Sequence, residues 1–508
     1  MFVRKKRNKS GSVSIQIIDK ENGYRVAQTV GSSSDKDEIE RLFLQGQRIV
    51  HADPPGQQWL FPFKSKEDLA VENCFADLTN AQVRTIGPEL IFGSLFDRIG
   101  FNDIKDDLFR HLVIARLVYP TSKLKTIDYL ERYQGLKMPV STIYRFLDRL
   151  ESRYKDQAAA IAYNHTKKCL KTISVVFYDM TTLYFEAGDE DDLRKTGFSK
   201  DGKFQKPQIL LGLLVGEQGL PISYDIFEGN TFEGHTLLPA LKKIQEKYAL
   251  KQPIVVADAA LLSKDNINNL AEQQYRFIIG GRIKNESEGI KEIILKNAQG
   301  ASDGKGFIIK KPDGTRLIVT YSAKRAKKDE ANRRRGLAKL RQRVKSGLLT
   351  KQSIHNRGYN RFLAIHGKAT ITIDEEKVRH DELWDGLKGY ITNTRLPLQE
   401  VVDNYVHLWQ IERAFRISKT DLKVRPVYHY QRRRIEAHIC IAFVAYSIYK
   451  ELELLLKKHA ISMSPKRAAE LTQNMYQLHY SLPSSGEQKR QLLKMDAQQQ
   501  LLYDTVCR

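Results

Sequence analysis

The chain has 508 residues, 41% hydrophobic and 28% charged, which fits a soluble globular protein long enough for several domains and a large buried core. Lys and Arg outnumber Asp and Glu by 83 to 60, a formal charge of +23; such a surface attracts a polyanion, with nucleic acid ahead of a charged membrane and of ribosomal or chaperone-like roles. The four cysteines, Cys74, Cys169, Cys440 and Cys507, lie far apart with no C-x-x-C pair, so neither a zinc finger nor a disulfide scaffold is suggested.

In chain order, the basic tip Met1–Lys9 is followed by no apolar stretch and does not read as a signal peptide. A short strand (Ser12–Ile18) and a charged helix (Asp35–Gly46) complete a first region, 1–80. Residues 81–170 are helical in pattern. Ile143, Phe146, Leu147 and Leu150 recur at helical spacing, and Tyr144 and Arg145 sit at the start of that helix, where a recognition helix would meet DNA.

The texture changes at Ile173–Asp179, a run rich in β-branched residues that reads as a buried strand ending in Asp179. Gln208–Val215 and Pro221–Phe227 read as a hairpin, His235–Tyr248 as a helix, and Pro253–Asp258 as a second short strand ending in an aspartate. Lys264–Gln274 is helical and Tyr275–Ile279 is a strand. Three strands, a helix, a strand, a helix and a strand match the start of an RNase H-like α/β core with a mixed five-stranded sheet, 171–281. The interval 282–383 reads as a β-rich insertion. It holds a hairpin turning at Pro312-Asp-Gly314 and a basic helix, Lys324–Lys345, in which Arg333, Arg334 and Arg335 are candidate DNA contacts because few acids balance them.

Residues 384–455 return to the core. Tyr405, Glu412 and Lys419, spaced by seven, are expected on one face of one helix. Trp409 in the same segment reads as a core residue that could alternatively stack on a base. The run Ile439–Tyr449 is shorter than the ~20 residues a bilayer span requires and reads as a buried helix. The polar, Gln-rich stretch 456–508 is expected to be a helical tail. The localisation expected is cytoplasmic, in a bacterium and associated with its nucleoid.

Two strand-end aspartates and one helical glutamate are an oxygen-only donor set of the kind Mg²⁺ takes. The surrounding motifs carry a resemblance. Asp179-Met-Thr-Thr182, Glu228-Gly-Asn-Thr231, Asp385-Gly386 with Thr392-Asn-Thr394, the Tyr405…Glu412…Lys419 spacing, Arg425-Pro-Val-Tyr428 and Arg434-Ile-Glu-Ala-His438 resemble, in this order, the bacterial insertion-sequence DDE transposases of the IS-four-like superfamily. Leu408 stands where that family's Y-x2-R-x3-E-x6-K signature has Arg, so one phosphate contact is either missing or supplied by Arg413 or Arg416. The resemblance implies Asp179, Asp258 and Glu412 as catalytic ligands of two Mg²⁺ ions, with Mn²⁺ able to substitute. It also implies Tyr405 and Lys419 positioning phosphates, and a homodimer on double-stranded terminal repeats and target DNA. A transposase-derived DNA-binding protein without catalysis, and an RNase H-like nuclease without strand transfer, would carry the same residues.

Overall fold

In the computed structural model the chain divides between Leu78 and Thr79 into two units. The structure describes all residues except 21–22, 51–70, 74, 77, 80–81, 187, 200–201, 249, 251, 260–263, 348, 356, 367–369 and 483–484. Cys74 and the boundary expected at residues 80 and 81 lie outside the described residues. The first unit is an antiparallel sheet of β1 (Phe2–Arg7), β2 (Val13–Asp19) and β3 (Arg25–Ser33), followed by a helix, α1 (Lys36–Val50), that packs on it. The basic tip is thus a strand, paired along its length with β2.

The second unit opens with β4 (Val83–Thr85) and the helices α2 (Ser94–Ile99), α3 (Asp107–Val118), α4 (Lys123–Gln134), α5 (Val140–Arg149) and α6 (Lys155–Leu170). The helical spacing read in α5 is real: Ile143, Phe146, Leu147 and Leu150 are fully buried. There follow β5 (Val175–Tyr184), β6 (Gln208–Val215), β7 (Pro221–Glu228), α7 (Leu237–Tyr248), β8 (Ile254–Ala257), α8 (Lys264–Glu272) and β9 (Arg276–Gly281). Their order in the sheet is β7-β6-β5-β8-β9. The first three strands are an antiparallel meander, and β8 and β9 join parallel through helical crossovers. This is the RNase H-like topology. β6 lies between two strands with both faces covered, and every one of its residues is buried, which is why it reads as an unbroken apolar run.

The sheet is larger than the five strands expected. After α9 (Glu288–Ala298), the hairpin β10 (Gly306–Lys310) and β11 (Arg316–Tyr321) does not form a sheet of its own. It adds to the core sheet through β14 (Leu387–Thr392), giving β10-β11-β14-β9 beyond β8 and eight strands in all. What remains of the insertion is α10 (Ala323–Lys345), the small hairpin β12 (Leu363–His366) and β13 (Thr370–Ile373), and α11 (Glu375–Glu382). A separate small core of Leu337, Leu340, Phe362, Leu363 and Val378 holds these together.

The chain then runs through α12 (Leu398–Val406), α13 (Trp409–Arg416) and α14 (Arg432–Lys458). The apolar run Ile439–Tyr449 is the buried middle of α14. No helix among the described residues is long and apolar enough to cross a membrane. The C-terminal stretch is not purely helical. Between α15 (Pro465–Thr472) and α16 (Ala497–Cys507) it forms the hairpin β15 (Tyr476–Ser481) and β16 (Gln488–Leu492), and β15 pairs with β4. Tyr476, Leu478 and Tyr480 alternate with polar residues at the strand period, and Gly486 supplies a left-handed turn at φ 67°.

Pleat parity sorts the core. Val175, Phe177, Leu183 and Phe185 of the β5 segment face a layer containing α12, α13, α14 and the N-terminal helices. Val176, Tyr178 and Met180 face α7 and α8. Gly229, in the Glu228-Gly-Asn-Thr231 motif, lets the chain close against the start of β6: a Cβ there would lie 2.1 Å from the Gln208 carbonyl oxygen and 2.3 Å from that of Lys195. Backbone cannot yield as a flexible side chain can. Gly229→Ala is therefore expected to cost about 3 kcal/mol, the upper end of ordinary overpacking, read as a lower denaturant midpoint at unchanged m-value.

Candidate active site

The geometry starts from strand register. Tyr178 of β5 pairs with Ala257 of β8 in the parallel ladder. One residue further, Asp179 and Asp258 stand side by side on adjacent strands. Both have the parity of Phe177 and Val256, which face the helical layer containing α12 and α13. Asp179 does not end its strand, as the sequence suggested. β5 continues to Tyr184, paired on one side with β6. It is β8 that stops, at Ala257, so the crevice opens where the parallel partner ends. That position, outside the carboxyl ends of parallel strands, is where α/β sheets place ligands. Asp179 is half-buried and Asp258 exposed.

Glu412 comes from α13, which packs against β5. Ile411, Ala414 and Phe415 are buried, and this apolar stripe turns Glu412, Trp409 and Arg416 to the exposed side. The single-helix ladder expected for Tyr405, Glu412 and Lys419 is not formed. The helix breaks at His407 and Leu408, where Leu408 N–H donates to the Tyr405 carbonyl at 3.0 Å, and Lys419 lies in a π-helical turn, Ile417–Asp421. Tyr405 therefore points inward while Glu412 is exposed. Leu408, at the position of the family's Arg, is itself buried in the core.

The Tyr405 hydroxyl donates to Asp258 Oδ1 at 3.2 Å. Its phenol is pushed well above the ordinary value, first by burial and then by the Asp258 and Glu412 carboxylates. The sequence reading missed Lys388. Its ammonium lies 4.5 Å from the Tyr405 ring centre. Burial and Arg325 lower its pKa, while Asp258 and Glu412 oppose that shift. Asp258 and Glu412 are thus both among the charges that act on Tyr405 and Lys388. Lys388 has the parity of Tyr390, which packs in the same core as Tyr405. Its signal in the sequence was its place between Asp385-Gly386 and Thr392-Asn-Thr394. Gly280 makes room for Tyr405: a Cβ there would lie 2.6 Å from the hydroxyl oxygen. A cleft of about 520 Å³ runs from Asp258 past Lys388 to Arg325 of the basic helix.

The donor atoms of the three carboxylates are not all within 4.8 Å of one another. Among the described residues the cluster that tight is His165, Cys169 and Glu451. An all-carboxylate set suits hard divalent cations.

Other anticipated contacts are engaged elsewhere. Arg413 pairs with Glu453 and stacks at 5.9 Å over Trp409. Arg416 is exposed beside Glu412. Trp409 is 48% exposed rather than in the core, because the buried stripe of α13 lies on the other side. Arg333 is buried in a two-pronged pair with Asp385, at 2.5 and 2.7 Å, and is not available to a phosphate. Arg334 and Arg335 are exposed. Arg145 is exposed, whereas Tyr144 is half-buried under the Arg434 guanidinium, 5.0 Å from its ring.

An RNase H-like sheet with carboxylates at the end of its parallel strands defines a class of metal-dependent phosphoryl-transfer proteins. The transposase DDE domain model matches residues 171–448, more than half of the chain, and the chain belongs to that family. One stretch is 29% identical over 121 residues to the transposase for insertion sequence element IS231C of Bacillus thuringiensis subsp. berliner, covering 22% of this chain and 24% of that protein. Another relative, the transposase for IS231E of Bacillus thuringiensis subsp. finitimus, is 26% identical over 117 residues, covering 21% and 24%. The match thus spans about a quarter of the length of these curated relatives. Among solved structures, a piggyBac transposase synaptic complex with hairpin DNA aligns over 80% of this chain and 78% of its own, at 10% identity and TM-score 0.38. A Mos1 mariner paired-end complex with Mn aligns over 47% and 67%, at 11% identity and TM-score 0.15.

Proposed function

We propose that this chain is a DNA transposase that cuts at the ends of an insertion sequence and joins the freed 3′-OH to target DNA. Asp179, Asp258 and Glu412 are its metal ligands. The observation that carries the reading is the register that sets Asp179 and Asp258 side by side, with the helix of Glu412 packed on the strand that carries Asp179. The three carboxylates would hold two divalent ions, Mg²⁺ by preference and Mn²⁺ as a substitute. Ions held there supply charge that activates an attacking water or 3′-OH and stabilises the leaving oxygen.

The chain's own groups do the rest. Tyr405 donates to one oxygen of Asp258 and fixes how that carboxylate is presented, the outer-shell role that commonly affects metal affinity or activity 10- to 100-fold. Lys388, Arg416 and Lys419 would hold phosphates. Arg334 and Arg335 on α10 extend a basic track along the insertion, and Arg145 offers one on α5. A dimer on paired double-stranded ends completes the proposal.

Incubating the full chain with Mg²⁺ and DNA carrying matched terminal repeats tests it. Cleavage followed by joining is the expected result. Binding alone would reduce the protein to a DNA-coating relative, and cleavage without joining to a nuclease. Tyr405→Phe is expected to slow cleavage about 10- to 100-fold, with part of the loss recovered at raised Mg²⁺ or Mn²⁺. An unchanged rate across the metal titration would remove Tyr405 from the site.

A further inference from the structure

A second pocket, of about 470 Å³, lies where α4 and α5 meet the segment 423–429 and α14. Its walls are cationic and no acidic side chain lines it. Arg116 is 5% exposed and Lys123 6%. Arg116 Nη1 donates to the Leu422 carbonyl at 3.5 Å, but its Nε–H is buried without a partner. Lys123 makes no hydrogen bond or ion pair among the described residues. His429 and His438 complete the wall, and His438 Nδ1 is likewise buried and unsatisfied. Buried charges in proteins are ordinarily paired, so two buried cations beside two buried imidazoles ask for a counter-ion.

The backbone points the same way. The first turn of α4 opens on the pocket through Ser122, Lys123 and Leu124. A helix N-terminus presents unpaired N–H groups and the positive end of its dipole. The four buried groups, Arg116, Lys123, His429 and His438, are all shifted down, as cations lacking an anion would be. Burial drives Arg116 down to about 10; burial first, then the charges of Lys123 and Arg116, bring His429 down to about 3, and burial with the same two cations lowers His438.

We propose that this pocket is a phosphate-binding site and that it receives a backbone phosphate of the bound DNA. The phosphate chemistry stands on the pocket alone; its source in DNA rests on the function proposed above. Position supports that source. Arg425, on the pocket's rim, lies over the ring of Tyr184 at 5.8 Å, and Tyr184 ends the strand that carries Asp179. Five residue steps along the strand separate the two, about 16 Å. A duplex strand offers a phosphate every ~3.4 Å of axis, so the pocket would hold one roughly five nucleotides or more from the scissile bond. Exposed Lys125 and Lys423 flank the entrance.

Lys123→Met and, independently, Arg116→Gln test this by thermal melting and DNA affinity. Removing an unpaired buried cation should raise the melting temperature of the free protein by several degrees. Inorganic phosphate or sulfate, against chloride at equal ionic strength, should stabilise the wild type and not the variants. Affinity for end DNA should fall on the order of tenfold, with a salt-dependence slope smaller by about one. Variants that melt lower, in a protein indifferent to phosphate, would make these cations structural and overturn the proposal. Phosphate-stabilised wild type that binds and cuts DNA, with variants binding DNA equally well, would overturn the DNA source while the transposase reading stands. A wild type stabilised by phosphate through Lys123 but binding no DNA would support a free-phosphate site and sink the transposase reading instead.

Discussion

Asp258→Asn is expected to abolish DNA cleavage while leaving DNA binding within a few-fold of wild type. Asparagine keeps the size of the side chain and an oxygen that can still accept from Tyr405 at the 3.2 Å position, so the change is one of charge. The site around it is built for charge. Asp258 lies beside Asp179 by register and accepts from Tyr405, with the Lys388 ammonium over the Tyr405 ring. A divalent ion contributes several kcal/mol of transition-state stabilisation, and each 1.4 kcal/mol is tenfold in rate. A loss on the order of a thousandfold or more follows. Asp179→Asn and Glu412→Gln should do the same. Combining two of the changes should cost little beyond one, because residues that act as a unit are not additive. Single-turnover cleavage of an end-containing duplex, alongside equilibrium binding, separates the two effects. Normal cutting by any one of the three would remove that residue from the site.

These candidate carboxylates stand out in the sequence because local pattern and topology agree there. Asp179 and Asp258 each follow a short β-branched run, and a parallel pair of such strands brings the residues after them together. The sequence could not show which strand stops first. It therefore put both aspartates at strand ends, whereas Asp179 lies inside a ten-residue strand. Glu412 was found by spacing to Tyr405 and Lys419, yet the helix behind that spacing is broken at His407–Leu408. A break made by tightened backbone turns leaves no Gly or Pro to mark it.

The short motifs have structural reasons that sequence alone does not disclose. Asn393 of the Thr-Asn-Thr segment accepts from Phe277 N–H at 2.9 Å and donates to the Tyr275 carbonyl at 2.8 Å, stitching β14 to β9. That stitch carries Lys388 to the site and turns the hairpin after Gly306 into an extension of the core sheet, not an insertion. The basic helix misled because charge counts do not report direction: of three consecutive arginines, Arg334 and Arg335 face solvent and Arg333 is buried. Lys388 and the Arg116–Lys123 pocket were not seen because long-range packing assembles them from segments with no periodic signature.

Arg333→Met is expected to destabilise the protein by about 3 kcal/mol, more than any other single surface-helix change in α10. Arg333 is 7% exposed and grips both oxygens of Asp385, with Glu382 within 3.6 Å of its Nε. Asp385 holds its guanidinium above its already high pKa, so the arginine stays charged throughout the working range. Removing one partner of a buried pair leaves the other charge desolvated, at a cost of ~3–5 kcal/mol. The lower end applies here because the Asp385 side chain keeps 17% of its exposure. The pair clasps α10 to the start of β14. There Gly386, at φ 79°, donates its N–H to Asp329 of the same helix at 3.2 Å. Loosening the clasp should also disturb Lys388 two residues on, so cleavage should fall with stability. The double variant Arg333→Met with Asp385→Leu should recover most of the lost melting temperature, since an apolar pair of similar volume can replace a buried ion pair at little cost. A direct DNA contact predicts the opposite pattern: weaker DNA binding at an unchanged melting temperature, with no recovery in the double variant. That outcome would return Arg333 to the DNA-facing surface and remove the clasp from the account of how α10 is held.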